Sequence, residues 1–154
     1  MSELFKKLNL KEQKKILVAE APESFEPALA ELKGVEIHRR MEDLAEIEFA
    51  LVFITRQTEL NRFARAIVKK AKGDAVLWFV YPKKSSKKYR CDFDRDRGWE
   101  ELGKAGYEGV RMVAIDEDWS ALRFRHVRYI KTIKREEKRV LSQEGKERLS
   151  KSKP

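Results

Sequence analysis

Phe49-Ala50-Leu51-Val52-Phe53-Ile54 and Ala75-Val76-Leu77-Trp78-Phe79-Val80-Tyr81 decide the fold of this chain. Neither run alternates. Each is apolar at nearly every position, the pattern of a strand covered on both faces, as in a parallel sheet clad by helices. Between them Leu60, Phe63, Ala64, Ile67 and Val68 recur at i, i+3, i+4, i+7 and i+8, the stripe of a helix with one buried face. Thr55 or Thr58 can cap that helix, Gly73 can end it, and Pro82 closes the second strand. Strand, helix and strand with short links make a right-handed crossover unit.

A second such unit lies upstream. Lys15 to Ala21 reads as a buried strand ending at Pro22. Ser24 can cap a helix carrying Phe25, Ala28, Leu29 and Leu32, with Pro27 in its first turn, where a missing N–H is harmless. Gly34 supplies a left-handed stop, and Val35 to His38 makes a short strand. Downstream, Trp99 to Ala105 reads as a short helix. Val110 to Ile115 and Ala121 to Val127 are strands joined by Asp116-Glu117-Asp118-Trp119-Ser120, a link too short for a crossover helix. That pair is expected to be an antiparallel hairpin. One α/β domain over residues 1–135 follows, three-layered and Rossmann-like, with a mostly parallel sheet.

A reduced sheet of this kind, closed by a hairpin, resembles the methyltransferase version of the Rossmann fold, and the likeness implies strand order 2-1-3-4-6-5. Four stretches carry a further resemblance: Leu17 to Phe25; Trp78 to Ser86; Arg95-Asp96-Arg97-Gly98-Trp99; and Val113 to Arg125. Together they resemble a family of uncharacterised bacterial proteins known only as a domain of unknown function. It implies this fold and no activity. The end past Arg135 lies outside the resemblance.

Charge is unevenly placed. Of the net +9, the segment Arg123 to Pro154 holds 12 Lys and Arg against 4 Asp and Glu. The run Lys83-Lys84-Ser85-Ser86-Lys87-Lys88-Tyr89-Arg90 adds five cations, so the rest of the body is mildly acidic. Residues 136–154 read as a basic helical tail that frays near Glu144. Acidic residues interleave there and no aromatic accompanies them, so weak, salt-sensitive attraction to nucleic acid is the most the tail implies. The single cysteine, Cys91, forms no internal disulfide, and with His38 and His126 it makes no zinc set. The N-terminus has no signal-peptide pattern, and the longest apolar run has seven residues against the ~20 that span a bilayer. A cytoplasmic protein with no membrane partner is expected.

Ligands of open parallel sheets bind beyond the carboxyl ends of the strands, where strand order reverses. The candidate crevice is lined by Glu20 and Glu23 after the first strand, Arg56 after the third, and Lys83, Lys84, Ser85 and Ser86 after the fourth. Dinucleotide and methyl-donor sites need glycines after the first strand for close backbone approach. Here Ala21-Pro22-Glu23 stands instead, with one N–H removed and carboxylates that repel a pyrophosphate. The basic run could hold a phosphate or simply be a solvated loop. Neither serine has a base or elbow motif. Asp92, Asp94 and Asp96 lack the glycine and closing glutamate of a calcium loop. Asp116, Trp119, Arg123 and Arg125 could form an anion or partner surface, or cross-strand ion pairs on an edge.

No reaction follows. The favoured reading is a non-enzymatic module that binds a small anionic ligand or a protein partner and needs no cofactor. The alternative is a degenerate methyltransferase-like enzyme using S-adenosylmethionine, with Glu20 and Glu23 near it. Weak nucleic-acid binding through the tail is a third.

Overall fold

A computed structural model describes residues 2–130, so the tail expected at 136–154 lies outside the described residues. Six strands, β1 (Lys15–Ala19), β2 (Glu36–His38), β3 (Ile47–Phe53), β4 (Ala71–Pro82), β5 (Tyr107–Ala114) and β6 (Trp119–His126), form one sheet of order β2-β1-β3-β4-β6-β5. β1 pairs in parallel with β2 and β3, and β3 with β4. β6 is antiparallel to both β4 and β5. The order implied by the methyltransferase-like resemblance therefore holds, hairpin included.

The unbroken apolar runs feed two cores. On one face Leu17, Ala50, Val52, Leu77 and Phe79 meet Leu60, Ala64 and Ile67 of α3 (Gln57–Lys70) and Leu102 of α4 (Glu100–Lys104). On the other, Ile16, Val18, Leu51, Phe53 and Trp78 meet Phe5 of α1 (Glu3–Lys7) and Leu29 of α2 (Glu26–Ala30). Trp78 is wholly buried, and its Nε1–H donates to the Leu8 carbonyl at 2.8 Å, tying α1 to the sheet.

Local details depart from expectation where tertiary bonds replace local ones. α1 was not anticipated; Ser2 caps it, and Phe5 and Leu8 anchor a single short turn. Ser24 caps nothing, because the chain leaves β1 through a 3-10 turn, Glu23–Phe25, whose cap position is Pro22. Neither Thr55 nor Thr58 caps α3. Its first N–H, at Gln57, donates to Asp92 Oδ1, 35 residues away, at 2.6 Å. Gly73 does not end α3 either, since β4 begins at Ala71 and Gly73 sits inside it at φ +57. β5 and β6 begin at Tyr107 and Trp119, earlier than the apolar pattern shows. No helix among the described residues is long and apolar enough to cross a membrane.

Candidate functional site

β1, β3 and β4 run the same way, so their carboxyl ends open on one rim. Glu20 and Glu23 stand at the exit of β1, Arg56 at that of β3, and Lys83 to Ser86 at that of β4. The concavity is at the last of these. A cleft of about 660 Å³ lies beyond Tyr81 and Pro82, walled by the loop from Lys83 to Arg97 and floored in part by Met112 and Ser120 of the hairpin. Lys83 and Lys84 line it; Glu20, Glu23, Arg56, Ser85 and Ser86 do not.

Polar bonds shape the walls. After β4 the Lys83 N–H donates to the Asp118 carbonyl at 2.8 Å. Ser86 is buried; its Oγ donates to Asp118 Oδ1 at 2.8 Å and accepts the Tyr89 N–H at 3.1 Å. That hydroxyl pins the basic loop to the hairpin turn and is no nucleophile. The chain then doubles back over α3. Besides the Asp92 cap, Gln57 Nε2 donates to the Gly98 carbonyl at 2.7 Å, and Trp99 Nε1 donates to the Asp94 carbonyl at 2.8 Å. Phe93 packs tilted and Trp99 edge-on against Tyr81, with centroids 5.9 and 5.8 Å away. The result places the rings of Tyr81 and Phe93 in the wall of a cleft that charged side chains otherwise surround.

Cations ring its mouth. Lys83, Lys84, Arg90, Arg95 and Arg97 face Asp92, Asp94 and Asp96. The carboxylates are largely engaged: Asp94 Oδ1 accepts the N–H groups of Asp96 and Arg97 at 2.8 and 3.0 Å, which holds its carboxyl below the usual range. Lys84, 3.8 Å from Asp94, adds to the effect. Arg97 also acts on the Asp94 carboxyl, whereas no ion pair holds the side chain of Lys83 or Arg90 among the described residues. Burial pushes the Tyr81 phenol up to about 12 and the Cys91 thiol up to about 11. Both stay protonated at neutral pH, Tyr81 as a donor and Cys91 as an inert thiol. Because only the thiolate alkylates, raising Cys91 from its ordinary 9.0 to about 11 predicts iodoacetamide labelling at pH 8 roughly a hundredfold slower than for a free cysteine. Timed mass spectrometry of the folded chain measures this, and labelling at the free-thiol rate would contradict it.

The other proposed surface separates. Asp116 Oδ1 accepts the N–H groups of Asp118 and Trp119 at 2.8 and 2.9 Å and so closes the hairpin turn. Trp119, expected to contribute to an anion or partner surface, is buried and packs on Phe53 and Tyr89 with centroids 5.2 and 4.7 Å away. Arg125 is bound by Asp74 at 2.5 and 3.1 Å. Of the two arginines, Arg123 makes no ion pair among the described residues, although Asp74 also acts on its charge. His38 Nε2 lies 2.6 Å from Glu36 Oε2, and His126 Nδ1 accepts the Arg128 N–H at 3.2 Å. No group of three or more His, Cys, Asp and Glu able to hold a metal occurs among the described residues.

The residues that make the cleft and escape a reading by strand exits are Tyr81, Phe93, Arg90, Arg97, Met112 and Ser120. Arg90 closes the basic run and Arg97 precedes Gly98-Trp99, but nothing local shows that these segments fold onto one another. At the exit of β1, exposed Glu20 takes φ +59, a left-handed conformation that glycine occupies without strain. Glu20→Gly is therefore expected to be neutral or to stabilise by up to about 1 kcal/mol in urea unfolding. A clear loss would show that the glutamate side chain itself holds the turn.

No protein-family model and no curated protein sequence matches the chain. Solved structures do. An S-adenosylmethionine-dependent methyltransferase from Aquifex aeolicus superposes with TM-score 0.55 at 16% identity, over 80% of this chain and 88% of that one. The N-methyltransferase NodS from Bradyrhizobium japonicum superposes at 0.51 and 12% identity, over 80% and 92% of the two chains. A 4+2 cyclase, SpnF, does so at 0.52 and 11%, over 79% of each. The fold is thus methyltransferase-like, and one frame carries both a methyl transfer and a cyclisation.

Proposed function

We propose that this chain binds a small organic anion in the cleft at the exit of β4, on a methyltransferase-like frame. One observation carries the reading: a cleft of ligand size, about 660 Å³, with Tyr81 and Phe93 in its wall, has a mouth in which Lys83 and Arg90 make no ion pair among the described residues. Tyr81 supplies an O–H donor inside, and the cations supply charge-assisted hydrogen bonds at the edge. Melting the intact chain against nucleotides and phosphorylated metabolites tests this. At a hundredfold excess over Kd a true ligand adds about 2.7 kcal/mol and raises the melting temperature by several degrees. Arg90→Met with Arg97→Met is expected to abolish that rise. No stabilising compound, or an undiminished rise in the double variant, would defeat the proposal.

The second reading is methyl transfer from S-adenosylmethionine, and the structural neighbours favour it over a module without chemistry. Glu20 and Glu23, which repel a pyrophosphate, suit the sulfonium and ammonium of that donor, while Arg56 suits its carboxylate. Against it stands a first turn with no glycine and with Pro22 in the place of an N–H donor. Calorimetry decides between them: heat on adding S-adenosylmethionine, lost in Glu20→Gln, supports the enzyme, and no heat at millimolar donor removes it. The tail's attraction to polyanions is a separate reading, tested by deleting residues 136–154 and measuring retention on RNA at low salt.

A further inference from the structure

Arg111 and Arg123 are paired directly across β5 and β6, on the sheet face that carries Trp78 and away from the cleft. Like charges so placed destabilise a strand pair. The strand departs from regularity to bring them together. Register shifts between Gly109 and Arg111, so that Val110 is passed over and Arg111 stands opposite Arg123. Such a bulge re-aims side chains and is common beside binding sites. Arg123 is half-buried; its Nε is shut from solvent and has no hydrogen-bond partner among the described residues. Burial lowers its pKa, and the neighbouring Arg125 and Arg111 lower it further against the pull of Asp74. Arg125, two residues along, is answered by Asp74. Arg111 and Arg123 make no ion pair among the described residues.

The geometry points to a binding site for a phosphomonoester dianion between Arg111 and Arg123. Two guanidinium forks carry two charges and present paired N–H donors, which match the terminal oxygens of a doubly charged phosphate. A carboxylate or phosphodiester, with one charge, leaves one arginine unanswered. The site is independent of the cleft, because it uses none of the cleft's residues and the other sheet face.

Inorganic phosphate at about pH 8, where it is a dianion, is the probe. It is titrated at constant ionic strength into the full chain while the arginine Nε–H signals are followed by NMR, assigned through Arg111→Met and Arg123→Met. The Arg111 and Arg123 signals are expected to move together and saturate. Dimethyl phosphate should need at least tenfold more for the same shift. Arg123→Met, its amide spectrum otherwise intact, should weaken the phosphate response of the Arg111 signal at least tenfold, whereas Lys83→Met with Arg90→Met, which alters only the cleft, should leave the Arg111 and Arg123 responses unchanged. Static arginine signals, equal responses to the two anions, or a response lost only in the Lys83 and Arg90 variant would overturn the site.

Discussion

Trp78→Ala is expected to cost about 3–5 kcal/mol in urea unfolding, a large part of the 5–15 kcal/mol typical of a domain. Trp78 is the largest of the fully buried side chains, at 0% exposure on the central strand β4. Removing the indole leaves a cavity between the sheet and α1, and the Leu8 carbonyl loses its donor. Trp78→Phe separates the two effects. It keeps most of the apolar volume and leaves the carbonyl unanswered, for an expected loss of about 1–3 kcal/mol. A loss below 1 kcal/mol in Trp78→Ala would mean that α1 does not pack on this face.

Gly98→Ala is expected to loosen the cleft as well as the fold. Gly98 has φ +103, and a Cβ there would lie 2.4 Å from Gln57 Oε1 and 2.7 Å from Phe93 Cβ. The Gln57 amide is held by Asn61 at 2.9 Å and by the Gly98 carbonyl at 2.7 Å, and Phe93 Cβ is fixed to the chain that walls the cleft. Neither can yield without undoing the latch between that wall and α3. Backbone strain and overpacking together predict a loss of about 2–4 kcal/mol. Gly73→Ala is the control: its φ is +57 but nothing lies within 4 Å, so only the left-handed penalty of about 1–2 kcal/mol applies. Equal losses at the two positions, read from urea midpoints, would show that the latch is not what makes Gly98 special.

The architecture was legible because it is written in burial. Phe49 to Ile54 and Ala75 to Tyr81 are apolar on both faces since helices cover both, and no alternating edge strand reads that way. The site was half legible for the same reason. Parallel strands put Glu20, Arg56 and Lys83 on one rim, as the topology confirms. Which part of the rim is concave depends on the loop from Lys83 to Arg97. Its course is set by long-range polar bonds, from Asp92 to Gln57 and from Gln57 to Gly98, that leave no periodic trace. Trp119 misled for a related reason: its four polar neighbours in the link, Asp116, Glu117, Asp118 and Ser120, suggested an acidic surface, yet the indole folds in beneath Tyr89. The arginine pair was hidden by one residue of register, since a regular hairpin puts Val110 where Arg111 stands.

Backbone amide shifts, recorded while a stabilising anion is titrated into the full chain, test the ligand cleft most directly. Binding there predicts the largest movements at Tyr81, Arg90, Phe93 and Arg97, with Ala21 and Arg56 nearly still. Movements centred on Glu20, Ala21 and Arg56 would contradict it and return the site to the exit of β1.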